Sequence, residues 1–456
     1  MKKLLALTMT AALAATLFVG CSSPKTEQAL PDNTAAVEVG VAPQEETTAA
    51  ETVPQTTAAP ETTEAVQEGP VLVPAATATL VQASVERHYE IAQAKDNSTM
   101  YEITVPKAVA EGDFQALNDS LSRDFEAELK EIRGRRQEFV EAFEAGLPEG
   151  DAVHGSMTEG VVCRADSSVF SVKTVQQWYN GGTFDTNING YSYRPSDGTL
   201  LSAADVFKDI DGLKAALVTR LQEEYPDAGF FDLEETIKGY NASILPNDKT
   251  AAEPRFSFAL TSDAAVFWFS KYELAPGASG CQTVILPYRD YAYLLNEEFM
   301  VASENYFTPL ELEKKNLVNG HEIMVTENRN QSGVTLDGVK VTLDGKETDV
   351  AAFADSIRIY AAVKDGKTWL YVFRNCEDDE KYITVIDLNG EVKAAGEFFG
   401  SLASEYRNTE AEAPSTFANI ASVKQLTDPS AFSLSEGKNG PAAVYTVSED
   451  GMPVKK

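Results

Sequence analysis

Behind the basic pair Lys2-Lys3, the chain opens with an uncharged run from Leu4 to Val19. These 16 residues fall short of the roughly 20 that span a bilayer and match the apolar region of a secretory leader. The hydrophobic pattern then vanishes. Residues 22–75 hold no aromatic side chain and no apolar period, and Thr47-Thr48-Ala49-Ala50 returns as Thr56-Thr57-Ala58-Ala59. Nothing in such a segment offsets the entropy of ordering it, and its prolines and like charges extend it. It reads as a disordered tether.

From residue 79 the periods are those of folded elements. The stretch 79–105 reads as extended, and its alternating end at 101–105 predicts a strand that stops at Pro106. Phe114, Leu117, Leu121, Phe125, Leu129 and Ile132 recur every three or four residues, the stripe of a long amphipathic helix. Arg133-Gly134-Arg135-Arg136 marks its break before Phe139, Val140 and Phe143 resume the stripe. Strands are predicted over 160–163, 168–172 and 175–179, and the turn Asn180-Gly181-Gly182 sends 188–193 back as their partner. Asp197-Gly198 makes a second turn, and Ser202 caps a helical stretch. Helices over 213–224 and 232–240 precede strands over 256–260, 266–269 and 282–286, and Pro287-Tyr288 opens a helix through Leu295. Beyond 305, short strands at 322–326, 339–343, 357–360, 369–373 and 382–386 alternate with Asp-Gly and Asn-Gly turns. That spacing predicts a small antiparallel β domain, with 443–447 as an edge strand and a weaker pattern elsewhere in 408–456. The expected fold is α+β: a mixed body of two adjoining domains, 76–195 and 196–300, then an all-β domain over 305–456.

Charge narrows the function. The chain carries 38 Lys+Arg against 70 Asp+Glu, a net −32. With +2 on the leader and −8 on the tether, −26 remains on residues 76–456. That excess argues against a nucleic-acid partner, since duplex binding rests on neutralising phosphates. His88, His154 and His321 stand far apart, and with four cysteines they leave few ligands for a transition metal, so neither a metal nor another cofactor is expected. The arginine run is the only basic cluster of the body, and it reads as a solvated helix face paired with nearby Glu. Asp185-Thr186-Asn187-Ile188-Asn189-Gly190 matches the opening of a calcium loop, but Ser196 stands where the bidentate Glu belongs, and Asx-rich turn geometry explains the run better. Gly277-Ala278-Ser279-Gly280-Cys281 is only superficially a nucleophile elbow, no phosphate-binding Gly loop occurs, and no carboxylate pair stands out. No catalytic residue is expected. Once Cys21 is set aside, a Cys163–Cys281 disulfide fits an exported chain, whereas the odd count with Cys376 and the apolar settings argue for at least one buried free thiol.

Two resemblances add to this. Leu17-Phe18-Val19-Gly20-Cys21, followed by Ser22-Ser23, resembles the lipobox of bacterial lipoproteins, with Phe18 where Leu is usual. It implies a lipidated Cys21 and anchoring to the outer face of the cell membrane through two acyl chains. Further on come Gly181-Gly182, Tyr191-x-Tyr193, Asp197-Gly198-x-Leu200, Ala204-Asp205-Val206-Phe207, Phe258-x-Leu260-Thr261, Val266-Phe267-Trp268-Phe269, Tyr272-Glu273-Leu274-Ala275-Pro276, Gly280 and Ile285-Leu286-Pro287-Tyr288. In this order they resemble the extracellular region shared by RsiV-type anti-sigma factors and PdaC-type peptidoglycan deacetylases, over about 80–300. The resemblance implies lysozyme recognition in the first case and a non-catalytic accessory to a deacetylase domain in the second. Thr183-Phe184 stand where that family often has His. Neither a sigma-binding segment nor the spaced histidines of a deacetylase are read here, so the expectation is a non-enzymatic surface lipoprotein. Its ligand would be a lysozyme-like protein or peptidoglycan. An accessory subunit of a separate wall enzyme and a purely structural surface protein are the alternatives. The candidate ligand surface is Trp178, Tyr179, Tyr191, Tyr193, Trp268, Tyr272, Glu273 and Pro276, aromatic strand positions joined to a loop whose path Pro276 and Gly277 fix.

Overall fold

Alternating positions in the first folded segment assemble into one long sheet. The computed structural model describes residues 77–146, 153–179, 181, 184–330, 332–376, 380–409, 416–437 and 440–456; the leader, Cys21, the tether, Asn180, Gly182 and Thr183 lie outside them. Strands β1 (Ala83–Gln93) and β2 (Thr99–Ala110) form an antiparallel hairpin. Helices α1 (Gln115–Gly134) and α2 (Arg136–Ala145) follow, and β3 (Gly155–Ala165), β4 (Phe170–Tyr179), β5 (Asp185–Arg194) and β6 (Thr199–Leu200) extend the sheet. Strand β2 runs through Pro106 instead of stopping there. Glu102 donates its N–H to His154 O of the β3 side at 2.9 Å. Pro106, four residues on, turns its missing donor the same way, where the parallel pairing with β3 has already ended at Thr104. Asp185 to Gly190 is likewise extended strand, not the turn expected of its Asx residues.

The helix breaks at the arginine run as the sequence predicts, but two of those arginines, half-buried, reach inward to a carboxylate of the sheet. Glu90 of β1, buried under the helices, accepts hydrogen bonds from Arg133 Nε (3.0 Å), from Arg136 and from the Tyr101 hydroxyl (3.2 Å). Arg135 makes the expected local pair with Glu138 (2.9 Å). The break therefore sits where two guanidiniums reach back to one carboxylate of the sheet.

The middle segment holds α3 (Ala203–Val206), α4 (Ile210–Glu224), α5 (Leu233–Lys238), a three-stranded antiparallel sheet of β7 (Phe258–Leu260), β8 (Ala264–Phe269) and β9 (Gln282–Pro287), and the short α6 (Tyr288–Tyr291). Every residue of β8 is buried. Ala265, Phe267 and Phe269 pack with Leu213, Leu217 and Leu221 of α4. Ala264, Val266 and Trp268 pack with Cys163, Ile188 and Cys281 against the first sheet. Cys163, Cys281 and Cys376 are free thiols.

The C-terminal region is all β, and the molecule is α+β as expected, with 48% strand and 19% helix among the described residues. Strands β10 (Tyr306–Pro309), β11 (Asn316–Val318), β12 (His321–Arg329), β13 (Leu336–Leu343), β14 (Lys346–Ala354), β15 (Ser356–Lys364), β16 (Lys367–Asn375), β17 (Lys381–Asp387) and β18 (Lys393–Leu402) precede β19 (Ser404–Thr409), β20 (Thr416–Lys424), β21 (Phe432–Glu436), β22 (Ala442–Val447) and β23 (Pro453–Lys455). One sheet is β11-β12-β13-β14, and a second runs β10-β15-β16-β17-β18-β21-β22-β23. Strands β19 and β20 leave the region altogether. They join the first sheet, which reads β19-β20-β1-β2-β3-β4-β5-β6, with Ser84 paired to Lys424. A boundary at 305 is thus crossed by two later strands.

Arg164 of β3 fixes these parts to one another. Its side chain is almost wholly buried, and it fills all five of its donors. Nε donates to Asp166 Oδ2 (2.6 Å) and Nη2 to Asp166 Oδ1 (3.4 Å); Nη1 donates to the carbonyls of Thr261 (3.2 Å) and Phe299 (2.7 Å), and Nη2 to that of Val301. Asp166 also accepts the N–H groups of Ser168 (2.8 Å) and Val169 (2.9 Å). Removing one partner of such a pair strands a buried charge, at about 3–5 kcal/mol. Arg164→Met, which keeps the stem, should lose stability of that order in urea unfolding; a loss below about 1 kcal/mol would refute the organising role of the guanidinium.

Candidate functional site

The eight residues read as a ligand surface do not form one. Tyr193 (2% exposed), Trp268 (1%) and Tyr179 (5%) belong to the interior. Trp268 is covered because β8 is packed on both faces, with the Lys173 ammonium 5.1 Å from its ring. Tyr179 stacks on His154 (5.4 Å) and leans on Phe184 (4.7 Å). Trp178 is half-buried between Phe139 (4.8 Å) and the Arg135 guanidinium, 3.5 Å above its ring. The Glu273 carboxylate is already taken up, accepting the Ser270 N–H (2.6 Å) beside its loop and the hydroxyl of Tyr240, just beyond α5. Only Tyr272 and Pro276 of that loop reach the surface. Tyr272 adopts φ +70, and its ring lies where a Cβ on Gly277 would stand 2.2 Å away, which is why Gly is needed there.

Tyr191 and Tyr193 lead elsewhere, to a cleft of about 280 Å³ between α1, the first sheet and the turn 247–250 of the middle segment. On α1, Leu121, Asp124, Phe125, Glu128 and Glu131 fall at helical spacing, so apolar and acidic groups share one wall. Val172 and Thr174 of β4 and Tyr191 and Tyr193 of β5 supply the floor. Asp248 accepts the Thr250 N–H (2.9 Å) and hydroxyl (2.7 Å), which shapes the opposing turn.

The three helix carboxylates are treated differently. Asp124 Oδ2 accepts the Tyr193 hydroxyl (2.8 Å), and Oδ1 accepts Asn247 Nδ2 (3.0 Å), so Asp124 fastens the helix to both other walls. Glu131 is paired with Lys249. Between them, among the described residues, no hydrogen bond or ion pair reaches Glu128. Burial pushes the Glu128 carboxyl above its ordinary range; Lys249 pulls it back and the neighbouring Glu131 pushes it further. Burial also raises the phenols of Tyr191 and Tyr193, with the nearby carboxylates adding to it, so both remain protonated donors. An aromatic floor beside a carboxylate that no hydrogen bond engages suits an ammonium or guanidinium group. It suits glycoside hydrolysis poorly, because Asp124 and Glu128 project side by side from one helix instead of flanking a bond.

Asp124, Glu128, Glu131, Asn247 and Lys249 were not among the residues the sequence pattern singles out. Their signal is faint: an acidic row four and seven residues long in step, bordering the stripe of Leu121 and Phe125, which ordinarily marks a solvated helix edge.

Residues 204–289, which supply the turn 247–250, match the family described as a protein of unknown function, DUF3298. Among solved structures, a DUF3298 family member from Bacteroides fragilis is 15% identical, with a TM-score of 0.35, covering 49% of this chain and 98% of its own. A DUF3298 family protein from Pseudomonas aeruginosa is 14% identical, with a TM-score of 0.32, covering 48% and 96%. No curated protein matches the chain. No helix among the described residues is long and apolar enough to cross a membrane.

A carboxyl whose folded pKa is raised contributes stability fully present below its unfolded value, about 4.3, and lost as pH rises through the folded one. Glu128→Gln should therefore melt higher than wild type at pH 7, and the gap should close below about pH 4. Thermal melts across that range check it; a gap that is absent at neutral pH, or independent of pH, would contradict the raised titration of Glu128.

Proposed function

We propose that this chain is a non-enzymatic binding module of the bacterial envelope, and that the acidic cleft receives a cationic group of its ligand. The carrying observation is Glu128, a half-buried carboxylate beside two tyrosines that no hydrogen bond engages and that Lys249 attracts only at longer range. A cation arriving there adds the close contact that the apo protein does not give Glu128, which favours binding. The ligand class that fits best is a basic secreted protein of the lysozyme type. The net charge of the chain favours its encounter, and the resemblance to RsiV-type extracellular regions points the same way. The side-by-side placement of Asp124 and Glu128 supports binding without hydrolysis. A wall polymer that reaches the same cleft is the accessory-subunit reading.

Titration calorimetry with lysozyme and, separately, with peptidoglycan distinguishes these. Saturable lysozyme binding that weakens with salt, and about tenfold in Glu128→Gln (~1.4 kcal/mol), is the expected result. Binding to the polymer alone would favour the accessory role, and binding to neither would defeat both.

The surface location rests on Cys21 and its lipobox-like setting. Expressed with its leader, the Cys21→Ser protein should leave the membrane fraction, where the wild type should stay. Retention of the variant with membranes would refute anchoring through this thiol.

A further inference from the structure

Strand alternation places a second cavity on the other side of the same strands. Where Val172, Thr174, Tyr191 and Tyr193 face the acidic cleft, Lys173, Val175, Gln177, Thr186 and Ile188 face a cavity of about 260 Å³. Its remaining walls come from Tyr225 and β9 of the middle segment, from the strap 309–314 and from β15, so all three parts of the chain meet there. Junctions of this kind are where small-molecule sites concentrate.

The strap is held in place. Asn316 Nδ2 donates to the carbonyls of Glu311 (2.8 Å) and Lys314 (2.9 Å), and its Oδ1 accepts the Glu311 N–H (3.0 Å). The Glu311 carboxylate grips Lys173 Nζ with both oxygens (2.7 and 2.8 Å). Arg358, the guanidinium of the lining, is engaged by Glu159 at 3.1 Å. Lys314 is different. Its ammonium lies 3.9 Å over the Tyr225 ring, and Glu224 approaches no closer than 4.0 Å, being paired with Arg220. Among the described residues its three donors make no hydrogen bond. Burial pulls its pKa down, with Glu224 and Glu311 opposing. Alongside polar groups such as Gln177, Thr186 and Thr283, the wall carries an apolar part made of Val161, Val175, Ile188, Leu312, Ile357 and Ile359.

We propose that this cavity binds a small amphipathic organic anion, its carboxylate on the Lys314 ammonium and its aliphatic body among Val175, Ile188, Leu312 and Ile357. The chemistry is complementary on both counts. An anion fills donors that the protein leaves empty, and an aliphatic chain replaces water against branched side chains. The volume equals about nine waters at ~30 Å³ each, a short-chain acid and not a full lipid. This site is independent of the acidic cleft and of the ligand assigned there.

Octanoate, octylammonium and acetate serve as probes in calorimetry with the protein lacking only its leader. Octanoate should bind saturably at one site, octylammonium at least about tenfold more weakly, and acetate not measurably. Lys314→Met should weaken octanoate by about tenfold and abolish the preference for acid over amine. A second readout needs no variant: with octanoate present, limited acetylation followed by mass spectrometry should show Lys314 protected and the exposed Lys346 unaffected. No saturable octanoate binding, equal affinity for the amine, or unprotected Lys314 would each overturn the proposal.

Discussion

A single guanidinium sets the geometry on which the molecule depends. Arg164 extends from β3 into a region without water, where each N–H must find an acceptor or cost the protein heavily. It finds them on its neighbour Asp166 and on three carbonyls, those of Thr261, Phe299 and Val301. The first belongs to the β7–β8 turn and the other two to the passage that leads into β10. The first sheet, the middle segment and the start of the C-terminal region are thus referred to one point. Glu159, five residues earlier on the same strand, repeats the device by pairing with Arg87 of β1 and Arg358 of β15. Directional bonds of this kind add little net stability compared with apolar packing, but they leave few alternative arrangements.

That fixed arrangement explains how two unlike cavities coexist back to back on β4 and β5. One face offers a carboxylate, Glu128, that no hydrogen bond engages; the other offers an ammonium, Lys314, without a hydrogen bond. Both charges are balanced only at longer range, by Lys249 and by Glu224, and such loosely met charges collect where a protein meets something else. The walls are rigid in both cases. Asp124 ties the helix, strand and turn of the cleft, and Asn316 and Glu311 tie the strap, so neither charge can easily swing away to find relief inside the molecule.

The sequence was most readable where one period dominated. The helix break at Arg133 to Arg136, the β7–β9 hairpins and the strands between Asp-Gly turns all follow directly from spacing and turn chemistry. Strand β18 was invisible because Gly396 and Gly400 interrupt its alternation, and the stretch after it did not announce its partner a whole chain away. Trp268 was misplaced for a physical reason. Ala264 to Phe269 is an unbroken apolar run, the signature of a strand covered on both sides, and so its aromatic ring has no free face. The cleft was least readable of all. Its acids look like a wet helix edge, and the lysine and asparagine opposite them lie more than a hundred residues further on.

The pairing of β1 with β20 has a bearing on biogenesis. A chain that emerges N-terminus first presents β1 and β2 almost at once, yet the strand that covers the outer edge of β1 is made only after some 320 more residues, as Ser84 waits for Lys424. Until then a row of unsatisfied amides and carbonyls lies open, the kind of edge that recruits stray strands from other molecules. Completion of the sheet is therefore a late event with a large loop to close. During synthesis this protein depends on whatever keeps nascent polypeptides apart, more than its modest helices and ordinary hairpins would suggest.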